Sequence, residues 1–376
     1  MKKTIFFLVN NLSFLKSHRI NVVLEAKKKD FKVIVGYGEL GGASISFFLK
    51  RGVDCFPISL QRNSKNPFKE LWSIFTIWQT FYKLNPDIVH LITIKPYLYG
   101  GIAARLAKIP CVVSSIAGLG ILFNQNKLWN LCFQIILYPL FKFAFNHPNQ
   151  KVIVQNQNDR KILMNWVNLD KKKILLLPGS GVDLSKYTKL KELNKIVTVC
   201  FASRLLRDKG VFDFAYAAKL IQKRKIKAKF LLAGNLDPGN PTSLSFKDLN
   251  QIKNEKAVEV IGFQKDIPSL YAKSHIICLP SFYGEGLPKA LIEAAAAGRA
   301  VVTTDTPGCR DAIIPNKTGL LVPAKDPQKL AKALISLITN HKERIIMGKA
   351  GRKLAEKKFS IHKINKSHLK LYKELI

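Results

Sequence analysis

Two successive stretches of this chain share one pattern, in which short apolar runs alternate with helical segments, and the pattern breaks once between them. In the first stretch the strand-like runs are Thr4–Val9, Lys32–Val35, Ile88–Ile92, Cys111–Ser115, Val152–Val154 and Ile174–Leu177. Segments such as Leu71–Leu84 and Tyr97–Ala107 carry helical spacing. Strictly alternating strands and helices imply a parallel, doubly wound sheet. The break comes at Pro178-Gly-Ser-Gly-Val-Asp183 and the lysine-rich stretch after it, where glycine, proline and charge cluster as in a linker. The runs Ile196–Ala202, Phe230–Ala233, Val258–Ile261, Ile276–Leu279, Ala300–Thr304 and Leu320–Val322 then predict a second sheet. The expected organisation is an α/β chain of two Rossmann-like domains facing a cleft: 1–185, a linker at 186–195, and 196–358. A last helix over 359–376 is expected to pack back on the first domain. A chain of 376 residues is long for one core and comfortable for two. Ligands of open α/β sheets sit beyond the carboxyl ends of the strands, so the cleft is the expected site.

The second stretch holds the chemistry. SFYGEGLPKALIEAAAAG carries Glu285 and Glu293, with Pro288 and Gly298 marking the start and stop of a helix over about 288–297. Glu285 falls in the loop ahead of that helix and Glu293 on its second turn. A helix start favours an anion, and carboxylates on either side of it suit sugar or ribose hydroxyls. Upstream, a strand leads into Ser203-Arg204-Leu-Leu-Arg-Asp-Lys209-Gly210. Arg204 and Lys209 therefore stand at a strand's carboxyl end, where a guanidinium fork and an ammonium fit the two phosphates of a nucleotide diphosphate. A solvated basic turn is the plainer reading of those two residues taken alone. The loop that begins at Gly234 and the Gly262-Phe263 turn end the next two strands and are candidates for the nucleotide pocket.

Arg204 with Lys209, Gly262-Phe263, and Glu285-x7-Glu293 resemble the donor site of the family 4 retaining glycosyltransferases of GT-B fold, over roughly residues 195–340. Ser17-His18-Arg19, Pro86-Asp-Ile-Val-His90, Gly118-Leu119-Gly120 and Gln155-Asn-Gln-Asn-Asp-Arg160 resemble a bacterial subgroup of that family. That subgroup extends undecaprenyl-diphosphate-linked oligosaccharides for O-antigen, capsule or N-glycan. The resemblance implies that Arg204 and Lys209 neutralise the donor diphosphate, Glu293 binds ribose hydroxyls and Glu285 contacts the transferred sugar. It also implies that the N–H groups after Gly286, at Leu287, cradle phosphate or sugar oxygens. The donor would be a UDP-sugar or GDP-sugar, and the leaving phosphate itself would help remove the acceptor proton. No cofactor and no metal are expected, since no Asp-x-Asp pair is present and cations take the metal's place. The chain departs from the family at the end of the Val112–Ser115 run, where many members carry a histidine and this one has Ile116-Ala-Gly118-Leu-Gly120. The glycine loop, His18 or His90 could replace it, although a satisfied strand-end histidine is the plainer reading of His90. Lys95 is either an acceptor-phosphate contact or a surface lysine.

Composition bears on partners. Sixty-one Lys and Arg against 25 Asp and Glu give a net charge of +36, a field that attracts polyanions and anionic membranes. The basic residues are spread along the chain without a zinc spacing or RNA-binding signature, so no nucleic acid is expected. A sugar-nucleotide epimerase of the same fold is the alternative enzyme, although it lacks this Arg/Lys and Glu-x7-Glu set. The six cysteines are scattered without a C-x-x-C pair, which fits a reducing compartment. The opening MKKTIFFLVNN has too short an apolar core for a signal peptide and reads as a buried first strand. Leu128–Phe145 is apolar but interrupted by Asn130, Gln134, Pro139 and Lys142; it is either a buried domain helix or one lying in a membrane interface. The expected location is the cytoplasm, peripheral on the inner face of the plasma membrane.

Overall fold

The computed structural model describes residues 2–61, 64, 66–119, 128–187, 192 and 196–376, with the side chains of 128–134 and 136 outside that description. The chain divides into two units, one of residues 1–180 with 362–376 and the other of residues 181–361. Their limits lie a few residues from the 185 and 358 expected. Most of the expected 186–195 linker lies outside the described residues; Glu192 is held by Arg344 Nη2 at 2.9 Å.

The first unit is a parallel seven-stranded sheet in the order β3-β2-β1-β4-β5-β6-β7. Its strands are β1 (Thr4–Asn11), β2 (Lys32–Glu39), β3 (Asp54–Pro57), β4 (Ile88–Ile92), β5 (Cys111–Ser115), β6 (Gln150–Val154) and β7 (Ile174–Leu176). The second is a parallel six-stranded sheet in the order β10-β9-β8-β11-β12-β13. It comprises β8 (Val197–Ala202), β9 (Ala228–Ala233), β10 (Glu259–Gly262), β11 (Ile276–Leu279), β12 (Ala300–Thr304) and β13 (Gly319–Val322). Helices cover both faces of a parallel sheet, so its central strands bury both sets of side chains and read as continuous apolar runs. Ile5 to Val9 of β1 and Ile276 to Leu279 of β11 are accordingly all buried.

The sheet order reverses once in each unit, between β1 and β4 and between β8 and β11. Registers such as Val9↔Ile92 in the first sheet and Ile276↔Val199 in the second fix those central pairs. Loops leaving the two central strands diverge to opposite sides of the sheet and leave a crevice at their carboxyl ends.

The final helix, Ile361–Leu375, belongs from His362 onward to the first unit. Leu371, Tyr372 and Leu375 enter the core formed by β1, β2, β4 and β5. Asn149 Nδ2 donates to the Leu375 carbonyl at 3.0 Å, and Tyr372 Oη meets His90 Nδ1 at 2.6 Å.

Candidate active site

In the second unit the two loops at the reversal point carry the charged pair. After β8 the chain makes a short helical turn, Arg207–Lys209, before the Val211–Lys223 helix. After β11 it runs through Pro280–Pro288 into the Lys289–Ala296 helix. Backbone bonds fasten the loops together, since Phe282 N–H and Tyr283 N–H both donate to the Asp208 carbonyl at 2.9 Å. This brings Lys209 Nζ into an ion pair with Glu285 Oε1, where Ser281 Oγ also donates at 3.0 Å. Both side chains are largely withdrawn from water, at 9% and 11% exposure, and the ammonium lies 5.3 Å from the centre of the Tyr283 ring. A charged pair this dry needs each partner, because removing one leaves an uncompensated charge.

A third loop supports the second. Thr304 Oγ1 donates to the Ser281 carbonyl, and Thr306 Oγ1 does so at 3.1 Å. Gly308, at φ +82°, lies against the Glu285 loop so closely that a Cβ there would stand 2.5 Å from the Gly286 carbonyl oxygen. Sequence reasoning misses Asp208, Ser281, Thr304, Thr306 and Gly308. They act through backbone contacts between segments far apart in sequence, which no local pattern reveals.

The helix expected over 288–297 runs Lys289–Ala296, with Pro288 as its extended N-cap and Gly298 at φ +67° after its end. Gly286 and Leu287 lead into the positive end of its dipole. Glu293, one turn in, pairs with Lys289 at 3.5 Å and shares a hydrogen bond with Tyr187. Burial lifts its carboxyl above the usual range, against the pull of Lys289 and Tyr187.

Arg204 pairs with a different carboxylate from Lys209. Its Nη1 donates to Asp237 Oδ2 at 2.7 Å, so the guanidinium is held by the loop after β9. Gly234 opens that loop at φ +150°; a Cβ there would stand 1.9 Å from the Ser203 carbonyl oxygen. The residue thus allows the β8 and β9 loops to meet, which is a packing reason for glycine. Phe263 follows Gly262 at the end of β10, and its ring is 62% exposed.

The first unit gives His90 and Lys95 partners within the protein. His90 is fully buried, with Nδ1 on Tyr372 Oη and Nε2 on Ser115 Oγ, both at 2.6 Å. Position 90 lies under the final helix, so the ring is a satisfied core group. Lys95 is not the solvated surface lysine expected as its plainer reading. Its Nζ donates to Glu70 Oε1 at 2.7 Å and to the carbonyls of Gln61 and Ser64 at 2.8 and 3.0 Å. His18 stacks on Phe14 with ring centres 4.3 Å apart. Gly118 turns the chain after β5, and the next residue, Leu119, donates its N–H to Asp159 Oδ1 at 3.2 Å; Gly120 lies outside the described residues. Asp159 is itself held by Asn156 Nδ2 at 3.0 Å, which gives the Gln155–Arg160 motif a structural purpose.

At the first unit's own reversal point, β1 ends in Asn10-Asn11 and β4 leads into Thr93. Asn10 Oδ1 and Thr93 Oγ1 are buried there without a hydrogen-bond partner, and Thr93, though β-branched, has φ +77°. Strained backbone and unused polar atoms gather where ligands bind. Nothing in the local sequence distinguishes Thr93, since the strain comes from the tertiary fold.

Two parallel, doubly wound sheets, one in each unit, are the fold of the GT-B class of sugar-transferring proteins. Sequence and structure comparisons agree. The family model described as "Glycosyl transferases group 1" matches residues 186–354, and "Glycosyl transferase 4-like" matches 5–156. The chain belongs to this glycosyltransferase family and is an enzyme of the transferase class. It is 29% identical over 338 residues to a Campylobacter jejuni N,N'-diacetylbacillosaminyl-diphospho-undecaprenol alpha-1,3-N-acetylgalactosaminyltransferase, covering 86% of this chain and 87% of the relative. It is 27% identical over 311 residues to an Escherichia coli UDP-Gal:alpha-D-GlcNAc-diphosphoundecaprenol alpha-1,3-galactosyltransferase, covering 78% of this chain and 77% of the relative. Among solved structures, Anabaena Alr3699/HepE in complex with UDP superposes with a TM-score of 0.77 at 18% identity, covering 100% of both chains. Both sequence relatives are named as transferases, which leaves the epimerase alternative without support.

Proposed function

We propose that this glycosyltransferase moves a hexose or N-acetylhexosamine from a UDP-sugar, or less favourably a GDP-sugar, to an undecaprenyl-diphosphate-linked saccharide, with retention at the anomeric carbon. The observation that carries the reading is the Lys209–Glu285 pair, built from both loops at the β8/β11 reversal beside a helix start. The two relatives' acceptors are undecaprenol-linked and their products alpha-linked, which supports the acceptor class and retention.

In this reading the donor diphosphate takes the place of Glu285 as partner of the Lys209 ammonium, and Arg204 turns from Asp237 to the same phosphates. Glu285, freed, accepts hydrogen bonds from the transferred sugar. The backbone of Gly286 and Leu287 and the helix dipole face the phosphate oxygens. Glu293 accepts from the ribose hydroxyls, its elevated basicity favouring the hydrogen-bonded form. The exposed Phe263 stacks on the base, with Gly234 shaping the adjoining wall. As the glycosidic bond breaks, negative charge gathers on the leaving diphosphate, and Lys209 and Arg204 stabilise it where water is scarce. The departing phosphate oxygen takes the acceptor proton, so these residues need supply no nucleophile and no metal. The acceptor occupies the first unit's crevice, where Asn10 and Thr93 have hydrogen-bonding capacity to spare. His18 and the Gly118 turn are further candidates for that side. The enzyme would work at the cytoplasmic face of an anionic membrane, where its acceptor is anchored, and without nucleic acid.

The test is transfer from a panel of UDP- and GDP-sugars to undecaprenyl-diphosphate glycans, read by mass spectrometry, with proton NMR of the product for the anomeric configuration. A β-linked product from an α-linked donor would remove retention; absence of transfer from every donor by folded protein would remove the reading.

A further inference from the structure

The Pro67–Leu84 helix is apolar on both of its sides. Its inner side places Ile77 and Phe81 in the core beneath β1 and β4. Its outer side presents Phe68, Leu71, Trp72, Phe75 and Tyr82 to solvent, with Phe68, Trp72 and Tyr82 at 81%, 57% and 70% exposure. At the helical repeat these five fall within an arc of about 100°. The rings form a continuous ladder, with Trp72–Phe75, Phe75–Trp78 and Trp78–Tyr82 centres 5.4, 5.7 and 5.8 Å apart. A contiguous aromatic stripe facing water marks an interaction surface.

Charge identifies what it meets. The only carboxylate on this helix, Glu70, is neutralised by Lys95 at 2.7 Å, leaving Lys69 and Lys83 as its exposed charges. Two further helical segments, Gly101–Leu106 and Leu128–Phe145, pack in the same core and contain no Asp or Glu at all. The latter adds exposed Leu140 and Phe143, and the Arg105 guanidinium lies 4.1 Å from the centre of the Phe143 ring. At the N-terminal end of the stripe a hollow of about 350 Å³ is lined by Lys69, Ser59, Ser64 and Trp72 among others. Aromatic rings with amphipathic tips, flanked by lysines and free of unpaired carboxylates, match the interface of an anionic bilayer.

We infer that the outer side of the Pro67–Leu84 helix is the surface on which this protein lies against anionic lipid. Trp72, Phe75 and Tyr82 sit at headgroup level, Phe68 and Leu71 reach the upper acyl chains, and Lys69, Lys83, Arg105 and Lys142 meet lipid phosphates. The inference rests on the proposed lipid-linked acceptor, which gives the enzyme a reason to dwell at a membrane. No helix among the described residues is long and apolar enough to cross one. Leu128–Phe145, which the sequence leaves as either a buried helix or an interfacial one, contributes Leu140 and Phe143 to this surface.

The test is flotation of the full chain with phosphatidylglycerol–phosphatidylcholine vesicles and with pure phosphatidylcholine vesicles. The wild type should bind the anionic vesicles and release as salt is raised. The double variant Trp72→Ser, Phe75→Ser should bind at least about tenfold more weakly, given the apolar area lost. In detergent it should still glycosylate a soluble short-chain acceptor. As a second readout that does not depend on that variant folding, brominated lipid should quench wild-type tryptophan fluorescence, and Trp72→Phe should remove most of the quenching. Unchanged vesicle binding by the double variant, unchanged quenching in Trp72→Phe, or a stripe that instead holds two copies of the chain together would overturn the inference. Vesicle binding without sugar transfer would defeat the proposed acceptor and leave the surface standing; transfer in detergent without vesicle binding would do the reverse.

Discussion

Lys209 and Glu285 pair across the point where the second sheet reverses its strand order, each brought there by the loop of a different central strand. The carboxylate holds the ammonium where the donor diphosphate is proposed to bind, so the cation is placed before substrate arrives. Lys209→Ala should lower kcat by about a hundredfold to a thousandfold, the usual effect of losing a charge-stabilising donor. It should also destabilise the second unit by about 3 kcal/mol, because a nearly buried carboxylate loses its oppositely charged neighbour. Steady-state kinetics and denaturant unfolding separate the two. Lys209→Met should lose catalysis to the same extent while recovering part of the stem's packing.

Glu293 is expected to trade stability for binding. Burial raises its carboxyl above the ordinary value of 4.5, so at neutral pH the ionised group is costly to the folded state. The cost is absent at pH values below 4.5, where folded and unfolded chains are both protonated, and it grows as pH rises through the folded-state value. Glu293→Gln should therefore raise the Tm at pH 7 to 8, with the gain vanishing toward pH 4. The same variant should weaken UDP binding about tenfold, as expected for loss of charge-assisted hydrogen bonds. Calorimetric scans across pH and titration with UDP check the two halves.

The histidines beneath the final helix predict an acid limit. Burial keeps His90 well below its ordinary 6.5, with His368 and Arg19 adding to the effect, and holds His368 at about 3. Both stay neutral in the folded chain while the unfolded chain takes up protons below pH 6.5. Their contribution is complete above that pH and is lost by about 1.4 kcal/mol per pH unit per histidine below it. Unfolding free energy measured from pH 7 to pH 5 should fall accordingly, and His368→Phe should have a shallower slope. A slope unchanged by that substitution would place the acid sensitivity elsewhere.

Gly308 tests whether the third loop positions Glu285. An alanine at φ +82° is strained in itself, and its Cβ would press on the Gly286 carbonyl. Gly308→Ala should cost about 2 kcal/mol of stability and displace the Glu285 loop. Activity should fall more than stability alone explains, with KM for the donor rising. Kinetics at a temperature where the variant is fully folded provide the check.

Much of the architecture is legible because parallel strands buried on both faces leave unbroken apolar runs. β3 is not, since Asp54–Pro57 is an edge strand, paired only with β2 and largely exposed. β1 and β2 extend beyond their apolar runs because asparagines and the glycines Gly36 and Gly38 interrupt the signal before the pairing ends. Around the site, Pro288 and Gly298 announce the helix through local chemistry. The partners of Arg204, His90 and Lys95 are Asp237, Tyr372 and Glu70, at separations of 33, 282 and 25 residues. Those pairings depend on tertiary placement, which local sequence does not record, so the sequence leaves two readings open for His90 and for Lys95.

The central claim is transfer of one sugar from a nucleotide diphosphate to a lipid-linked saccharide, driven by charge stabilisation at Lys209. The direct measurement is the mass of an undecaprenyl-diphosphate-linked acceptor after incubation with each UDP-sugar, for wild type and Lys209→Ala side by side. The account predicts a gain of one hexose or N-acetylhexosamine with the wild type and at least about a hundredfold slower gain with the variant. No gain from any donor with folded wild type, or equal rates for the two proteins, would contradict it.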